Sequence, residues 1–304
     1  MTTIEDTSFL NHKSPEEILL HIESHKLLLP EVYLTHAAKV LSQQGQKGYS
    51  TTRRLTILEQ VVLSALHVNN ASLAESSLKE IKELVGKEST RYRKLLAQCL
   101  EAQEEYQQAL DIYNDLIATN PSNISVLKRM YCIHKAKGDD VLARQTMNEY
   151  LERNGADASA WIVLAKDCME EGEYKGAAYC YEEAILVSPV DASLHCILGE
   201  LYTTIATKES LILARKHFCM CLELEGTNTN LRAIFGLVSA VENYIQLELT
   251  NQGKKKGRNV DEESEEHMDV AKELKKLGVE RLIKAYHGHY YGDLLAKFLS
   301  IDEI

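Results

Sequence analysis

Histidine and cysteine pairs are the residues of this chain whose spacing could support metal chemistry. His21 and His25 are four residues apart, which would place two imidazole rings on one side of a helix. A zinc site in a protein uses three or four ligands, and the sequence offers no third ligand near this pair. Cys219 and Cys221 are two residues apart, so on a helix they would point away from each other. We therefore expect no metal at the first pair, and a buried thiol beside a surface thiol at the second.

A polar and aromatic cluster near the end of the chain is a further candidate. Residues 287–293 have the sequence His-Gly-His-Tyr-Tyr-Gly-Asp, which could bind a metal or a partner, although packing of a loop or tail is the favoured interpretation. The sequence contains no phosphate-binding glycine loop, no nucleophile elbow and no pair of carboxylates on a predicted strand. We therefore expect a protein without enzymatic activity and without a cofactor or metal.

Charge and cysteine content limit the compartment and the partners. The net charge of −11 argues against nucleic acid as a partner. The seven cysteines lack the spacing of a disulfide framework, which predicts reduced thiols. The N-terminus lacks the pattern of a signal peptide, and no stretch reaches the ~18 apolar residues that a membrane span needs. These features predict a cytosolic protein that associates with a membrane only through partners.

A period of 34 residues organises the middle of the chain. Ala109, Ala143 and Ala177 are separated by this period, and Ala214 repeats the mark after three extra residues. Each alanine is followed four residues later by a large apolar residue and twelve residues later by proline or glycine. A repeat of this length predicts pairs of antiparallel helices, which bury their apolar faces only by stacking on copies of themselves.

The clearest copy of the repeat shows the expected division of roles. Trp161, Leu164 and Ala165 share one face of a first helix, Gly172 ends that helix, and Ala177 lies on the second helix. These offsets resemble those of the tetratricopeptide repeat. The resemblance implies an all-α fold, a tetratricopeptide-repeat α-solenoid in which antiparallel helix pairs form a right-handed superhelix. The predicted repeat core consists of Leu96, Ala97, Ala109, Tyr113, Ala143, Met147, Trp161, Leu164, Ala165, Ala177, Tyr181, Leu198, Gly199, Tyr202, Ala214, Phe218, Phe235 and Gly236.

The same pattern divides the chain into four segments. The first helix is predicted to begin at a capping box formed by Ser14 and Glu17. A basic run over residues 254–258 is followed at once by acidic residues, which indicates a solvated loop rather than a lipid or nucleic-acid contact. The predicted segments are N-terminal capping helices (1–50), the solenoid (51–249), a flexible charged loop (250–266), and a C-terminal return helix with a tail (267–304).

The first helices of such repeats line a concave surface that suits an extended peptide or another subunit. The predicted groove consists of Lys94, Gln98, Glu101, Ser125, Lys128, Cys132, Lys135, Ser159, Ile162, Lys166 and Met169. For any single one of these residues, an ordinary solvated helix face is the alternative interpretation. Some of these repeats bind an acidic chaperone tail with a carboxylate clamp of Lys, Asn and Arg. Here the clamp positions hold Lys94, Gln98, Arg129, Ser159 and Val163, so the clamp is at best partial.

Longer segments resemble the family of subunit two of the endoplasmic reticulum membrane protein complex. The similar segments are residues 148–152, 160–183, 214–218 and 231–237, within a region from about 55 to 244. The resemblance implies a non-catalytic scaffold in a hetero-oligomer, peripheral on the cytosolic face of the endoplasmic reticulum. It would organise a soluble subunit and cytosolic segments of membrane-spanning subunits in an insertase for tail-anchored and multipass proteins. The alternative is a cytosolic co-chaperone or adaptor that binds peptide tails.

Overall fold

Helices make up all the regular structure that the computed structural model describes. It describes residues 13–43, 50–225, 230–254 and 262–286, and no strand occurs in these ranges. The predicted all-α fold class is therefore confirmed for this part of the chain. The chain divides into two compact units, Met1–Thr146 and Met147–Ile304, each of which is described by itself.

The first unit is a succession of helix pairs. Its helices are α1 (Pro15–Ser24), α2 (Pro30–Gln43), α3 (Thr51–His67), α4 (Ala71–Val85), α5 (Thr90–Ala102), α6 (Tyr106–Thr119) and α7 (Ser125–Lys137). Each of these helices packs against the next one along the chain, and α3 also packs against α5. The following helix, α8 (Asp140–Arg153), begins in the first unit and ends in the second.

The first helix begins where the capping box predicts. The Ser14 amide donates to the Glu17 carboxylate at 2.8 Å, and the Glu17 amide donates to the Ser14 hydroxyl at 3.4 Å. Pro15 occupies the first helical position, where its missing N–H costs no hydrogen bond. Ile18, Leu19 and the rest of the apolar face of α1 then pack on α2 and α3.

The second unit contains six further helices in the same arrangement. They are α9 (Ala158–Glu170), α10 (Tyr174–Val187), α11 (Ala192–Ile205), α12 (Lys208–Leu224), α13 (Leu231–Lys254) and α14 (Glu262–Ala285). Successive helices pack against each other, and α11 also packs against α13, so first helices of neighbouring pairs meet as repeat stacking requires. The three extra residues before Ala214 lengthen α12, which begins at the predicted insertion with a Thr207–Ser210 capping box.

The alanines that mark the repeat lie in the core. All four are completely buried, at Ala109, Ala143, Ala177 and Ala214. The large residue four positions later is also buried, at Tyr113, Met147, Tyr181 and Phe218. Since a larger side chain would force the helices apart, the repeating alanine keeps each crossing tight.

Four predicted core residues are not fully buried. Leu96 is only partly buried, because Leu95 takes the buried direction of α5. Trp161 is half-buried, and its Nε1–H donates to the Gly155 carbonyl at 2.9 Å near the surface. Phe235 is 39% exposed, since the neighbouring Ile234 faces the core of α13 and α14 instead. The remaining members of the predicted core are buried, except that Gly236 is half-buried.

Helices extend into both ends of the charged loop predicted over residues 250–266. Helix α13 continues to Lys254 and α14 begins at Glu262. The acidic sequence at the start of α14 suits a helix N-terminus, where the helix dipole favours negative charge. Residues 255–261 lie outside the described residues, as does the 287–293 cluster. The roles assigned to the four predicted segments stay predictions.

Candidate protein-binding surface

A cleft opens on the first helices of the first unit. Side chains of α3, α5 and α7 line a space of about 350 Å³, to which Tyr113 of α6 adds its ring. Three residues of the predicted groove lie here, namely Lys94, Gln98 and Ser125. The other lining residues are Glu59, Gln60, Leu63, Arg91, Leu95, Val126 and Arg129. The cleft thus combines an apolar floor with amide, hydroxyl and charged groups, as a peptide-binding site requires.

Lys94 is the cation of the cleft whose hydrogen bond goes to a neutral group. Its Nζ donates to the Ser125 hydroxyl at 3.0 Å, which joins α5 to α7. Burial lowers the pKa of the Lys94 ammonium, because part of its hydration is lost. A partner that places a hydrogen-bond acceptor near this nitrogen would replace the hydration that burial removes.

The two arginines of the cleft are each paired with a carboxylate. Arg91 holds Glu59 through two contacts, at 2.6 and 2.7 Å. Arg129 holds Glu101 through two hydrogen bonds, at 2.5 and 3.1 Å. The charge of both guanidinium groups is therefore largely neutralised within the protein.

Glu101 was predicted to face the groove, and instead it bridges helices. Its side chain is only 11% exposed, and it also accepts a hydrogen bond from the Tyr113 hydroxyl. Burial, followed by this carboxylate, raises the pKa of Tyr113. Burial alone would lower the pKa of Arg129, but the Glu101 carboxylate outweighs it and the pKa is raised. Three helices, α5, α6 and α7, thus meet at one carboxylate.

The remaining groove residues of α7 extend beyond the cleft. Cys132 is exposed and Lys128 is half-buried. Lys135 is engaged by Asp140 at 2.8 Å, so it is less available to a partner than the sequence suggested. These positions share the α7 face with Ser125, as their spacing predicts.

The groove residues of α9 belong to the second unit. Ser159, Lys166 and Met169 are exposed and Ile162 is half-buried, so these four residues lie on the solvent-exposed side of α9. The predicted groove therefore has a part in each unit. A continuous groove stays a prediction.

The match of the repeats to a family model identifies the family of this chain. Residues 58–217, more than half of the chain, match the family model described as EMC2 TPR-like repeat domain. The chain belongs to this family. The resemblance carried by the segments between residues 148 and 237 is thereby confirmed.

Named relatives of the EMC2 family agree with this assignment. The chain is 37% identical over 182 residues to ER membrane protein complex subunit 2 of Xenopus tropicalis, a match that covers 60% of this chain and 60% of the relative. It is 27% identical over 207 residues to the protein of the same name from Dictyostelium discoideum, covering 65% and 62%. The matched region thus spans about 60% of the length of these relatives.

A solved structure supports the repeat fold of this EMC2-family chain. The C-terminal part of a TPR repeat-containing protein from Cytophaga hutchinsonii aligns with a TM-score of 0.57, covering 92% of this chain and 98% of that one. The sequence identity is 11%, so the likeness concerns the fold alone. The predicted tetratricopeptide-repeat class is confirmed.

Eight residues of the cleft were absent from the predicted groove, and four of them precede Lys94 on α3 and α5. Gln60 and Arg91 lie 34 residues before Lys94 and Ser125, so one more step of the EMC2-family repeat would have found them. Glu59 and Leu63 carry no such signal. The repeat copy that contains Glu59 and Leu63 is degenerate, so the period does not mark these two positions.

The histidine pair of α1 is occupied by local hydrogen bonds. Helix α1 ends at Ser24, and His25 caps it with Nδ1 at 3.0 Å from the His21 carbonyl. The two rings lie 4.1 Å apart. No group of three or more His, Cys, Asp or Glu side chains in the described residues is placed to hold a metal. Cys221 is buried as predicted, whereas Cys219 is half-buried and not fully at the surface.

No helix among the described residues has both the length and the apolar content needed to cross a bilayer.

Proposed function

We propose that this protein is a non-catalytic scaffold subunit of an endoplasmic reticulum membrane protein complex. Relatives that bear the name ER membrane protein complex subunit 2 support this, because one of them is 37% identical over 182 residues and the family match falls on the repeats. The repeats are the part that would contact other chains. Partner subunits hold the protein at the cytosolic face of the membrane.

The scaffold organises other polypeptides for membrane protein insertion. One partner is a soluble cytosolic subunit, and the others are cytosolic segments of membrane-spanning subunits. The assembled insertase acts on tail-anchored and multipass proteins. The resemblance stated above is the source of these finer roles.

The cleft of α3, α5 and α7 is the observation that carries the scaffold role. It offers an ammonium group at Lys94 and amides at Gln60 and Gln98, beside the apolar Leu63 and Leu95. An extended segment could satisfy the polar groups with its backbone and bury side chains on the apolar floor. The rest of the predicted groove, on α7 and α9, belongs to the same proposal.

A cytosolic co-chaperone or adaptor is the alternative, and the cleft disfavours it. A carboxylate clamp needs free basic groups on consecutive first helices. Arg129 is committed to Glu101, and Ser159 and Val163 offer no positive charge. Lys94 alone is a weak clamp for an acidic tail.

Gentle detergent extraction tests the scaffold role. The tagged protein should be recovered together with several membrane-spanning proteins, and Lys94→Glu should reduce their recovery. Lys79→Glu, on the exposed side of α4, is the matched control and should leave the recovery unchanged. Circular dichroism would establish that both variants remain helical. A monomeric pool without membrane-spanning companions would reject the scaffold in favour of a free adaptor.

A further inference from the structure

A second surface of the protein lies on α10, the second helix of its pair. Helix α10 and the turn after it expose apolar side chains to solvent: Leu186 is 76% exposed, Val190 is 78% and Tyr179 is 54%. Glu182 and Glu183 lie between Tyr179 and Leu186 on the same side of the helix. We call these five residues the α10 outer face.

The repeat fold does not require apolar residues at these positions. The residues at the offset of Tyr179 in the other three copies are Asp111, Gln145 and Lys216. The residues at the offset of Leu186 are Ala118, Glu152 and Glu223, and those at the offset of Val190 are Ser122, Ala156 and Thr227. Polar or small residues therefore serve in every other copy. The large apolar residues of α10 have a cause outside the stacking of repeats.

Tyr179 is held in place before any partner binds. Its ring meets the edge of Trp161 in a T-shaped contact with the ring centres 6.1 Å apart. The Glu183 carboxylate, followed by partial burial, raises the pKa of the Tyr179 hydroxyl, so this group stays neutral. A fixed, amphipathic aromatic side chain loses little entropy on binding, which makes it a suitable anchor.

The spacing of the anchors points to a helix as the partner. Tyr179 and Leu186 are seven residues apart, which places them about two turns apart along one line of α10. A seven-residue apolar repeat with charged neighbours is the pattern by which two helices pack side by side. Glu182 and Glu183 lie between the two anchors, three and four residues after Tyr179, so a helix docked along this line must offer basic side chains to them.

The sign of the charge selects among possible occupants. In a symmetric contact with a second copy, the same acidic patch would face itself. An anionic membrane surface would repel the carboxylates in the same way. A helix with lysine or arginine beside its apolar residues would instead pair with Glu182 and Glu183.

We propose that the α10 outer face is a docking site for an amphipathic helix of another polypeptide, with apolar residues one heptad apart and basic residues beside them. This site goes beyond the proposed function, because it lies on a second helix and in a different unit from Lys94. Failure of one proposal would leave the other standing.

A defined peptide tests the docking site on the full chain. The probe is a fluorescent three-heptad helix with leucine at the apolar positions and lysine at the flanking positions, and its binding is measured by fluorescence anisotropy. A second peptide carries glutamate in place of each lysine. We expect the lysine peptide to bind at least about tenfold more tightly than the glutamate peptide, and high salt to reduce the difference.

Two matched variants locate the binding. Leu186→Ser should weaken binding of the lysine peptide by about tenfold, since it removes an anchor. Leu28→Ser is the control, because Leu28 is 75% exposed in the turn between α1 and α2 and Leu186 is 76% exposed. The control should leave binding within about twofold. Glu183→Lys, which keeps the apolar anchors, should abolish the preference for the lysine peptide.

Several results would overturn the docking site. These are equal binding of the two peptides, no binding of the lysine peptide, or an equal loss in Leu186→Ser and Leu28→Ser. Self-association that Leu186→Ser abolishes would assign the face to a second copy instead. Binding to phosphatidylserine vesicles that the same variant abolishes would assign it to a membrane. Both variants change exposed residues, so thermal unfolding should show that each is folded.

Discussion

At the scale of single residues, glycine decides how closely the last helices of the second unit approach. The tip of the Phe218 ring lies against Gly199 of α11 and Gly236 of α13. A methyl group at Gly236 would come within 2.4 Å of the ring, and one at Gly199 would come within 3.0 Å. The ring is confined from both sides, so it cannot move to accommodate either methyl group.

Gly236→Ala should destabilise the protein although alanine is the better helix former. We expect a loss of about 1–3 kcal/mol in the free energy of unfolding, because the new methyl group overpacks the Phe218 site. Gly176→Ala is the matched control, since its methyl group would meet the Cys168 sulfur at an ordinary 3.5 Å. It should stabilise by about 0.5–1 kcal/mol. Urea unfolding measures both, and a change of the same sign in the two variants would contradict this packing.

A pair of histidines in the second unit shares one hydrogen bond. His195 Nε2 lies 3.2 Å from the Pro189 carbonyl, which can only accept, so Nε2 carries the proton and Nδ1 of His195 accepts. His217 Nδ1, at 3.0 Å, must therefore donate. Burial, with His195 adding to it, lowers the pKa of His217 to about 4. The His217 ring is thus neutral at pH 7.

Acid should weaken the fold through His217. The folded-state pKa is about 4 and the ordinary value is 6.5, so between these values the unfolded chain binds more protons. The stability that the neutral ring contributes is present above pH 6.5 and is lost as the pH falls towards 4. His217→Asn keeps a donor for His195 and does not titrate. Its unfolding free energy should fall less steeply over this range, and equal slopes for the two proteins would contradict the assignment.

The sequence predicted these residues without predicting how they meet. Gly199, Phe218 and Gly236 were all placed in the core, because each occupies a repeat offset. Their mutual contact depends on distances between copies, which the spacing within one copy does not contain. Phe235 was placed in the core as well. A shift of one position along α13 turns a side chain from the core towards solvent, and Ile234 is the residue that faces the core.

At the scale of helices, a carboxylate that joins three consecutive helices recurs in the first unit. Glu101 accepts from Tyr113 and Arg129, which join α5 to α6 and α7. Glu23 of α1 does the same with Tyr33 of α2 at 2.7 Å and Arg53 of α3 at 2.5 Å. Each cluster orients a first helix relative to its own partner and to the next pair.

Glu101→Gln should destabilise the first unit more than the loss of an exposed salt bridge would. An amide cannot hold the Arg129 guanidinium through two charged oxygens, so we expect a loss of about 1–3 kcal/mol. Glu149→Gln, which removes the exposed pair with Arg153 on α8, should cost only about 0.3–0.5 kcal/mol. Thermal unfolding compares the two. Equal costs would mean that Glu101 is only a surface residue.

The sequence predicted the helix pairs well and their ends less well. The period of alanines and helix breakers placed α9 and α10 correctly, because Gly172 and Pro189 stop helices by their backbone properties. The charged stretch over residues 250–266 contains no such stop at its start or end. Composition suggested a loop there, whereas packing of α13 on α14 extends both helices into it.

At the scale of the whole molecule, family membership and surface chemistry lead to the same kind of role. Membership of the EMC2 family supports the proposed scaffold role, and the net charge of −11 favours basic partners. The cleft of the first unit and the α10 outer face differ in chemistry. The cleft combines apolar side chains with amides and the Lys94 ammonium, whereas the α10 outer face is apolar with acidic neighbours. The repeat period predicted part of the cleft, but not the α10 outer face, whose residues depart from the period.

Cross-linking mass spectrometry on the native assembly, extracted in mild detergent, tests the scaffold role most directly. Lys94, Lys128 and Lys166 of the predicted groove should form cross-links to other polypeptides, including membrane-spanning ones. Lys79 and Lys82, on the exposed side of α4, provide the internal comparison and should form few. A protein whose groove lysines cross-link only within its own chain, while companions attach elsewhere or not at all, would contradict the proposed scaffold.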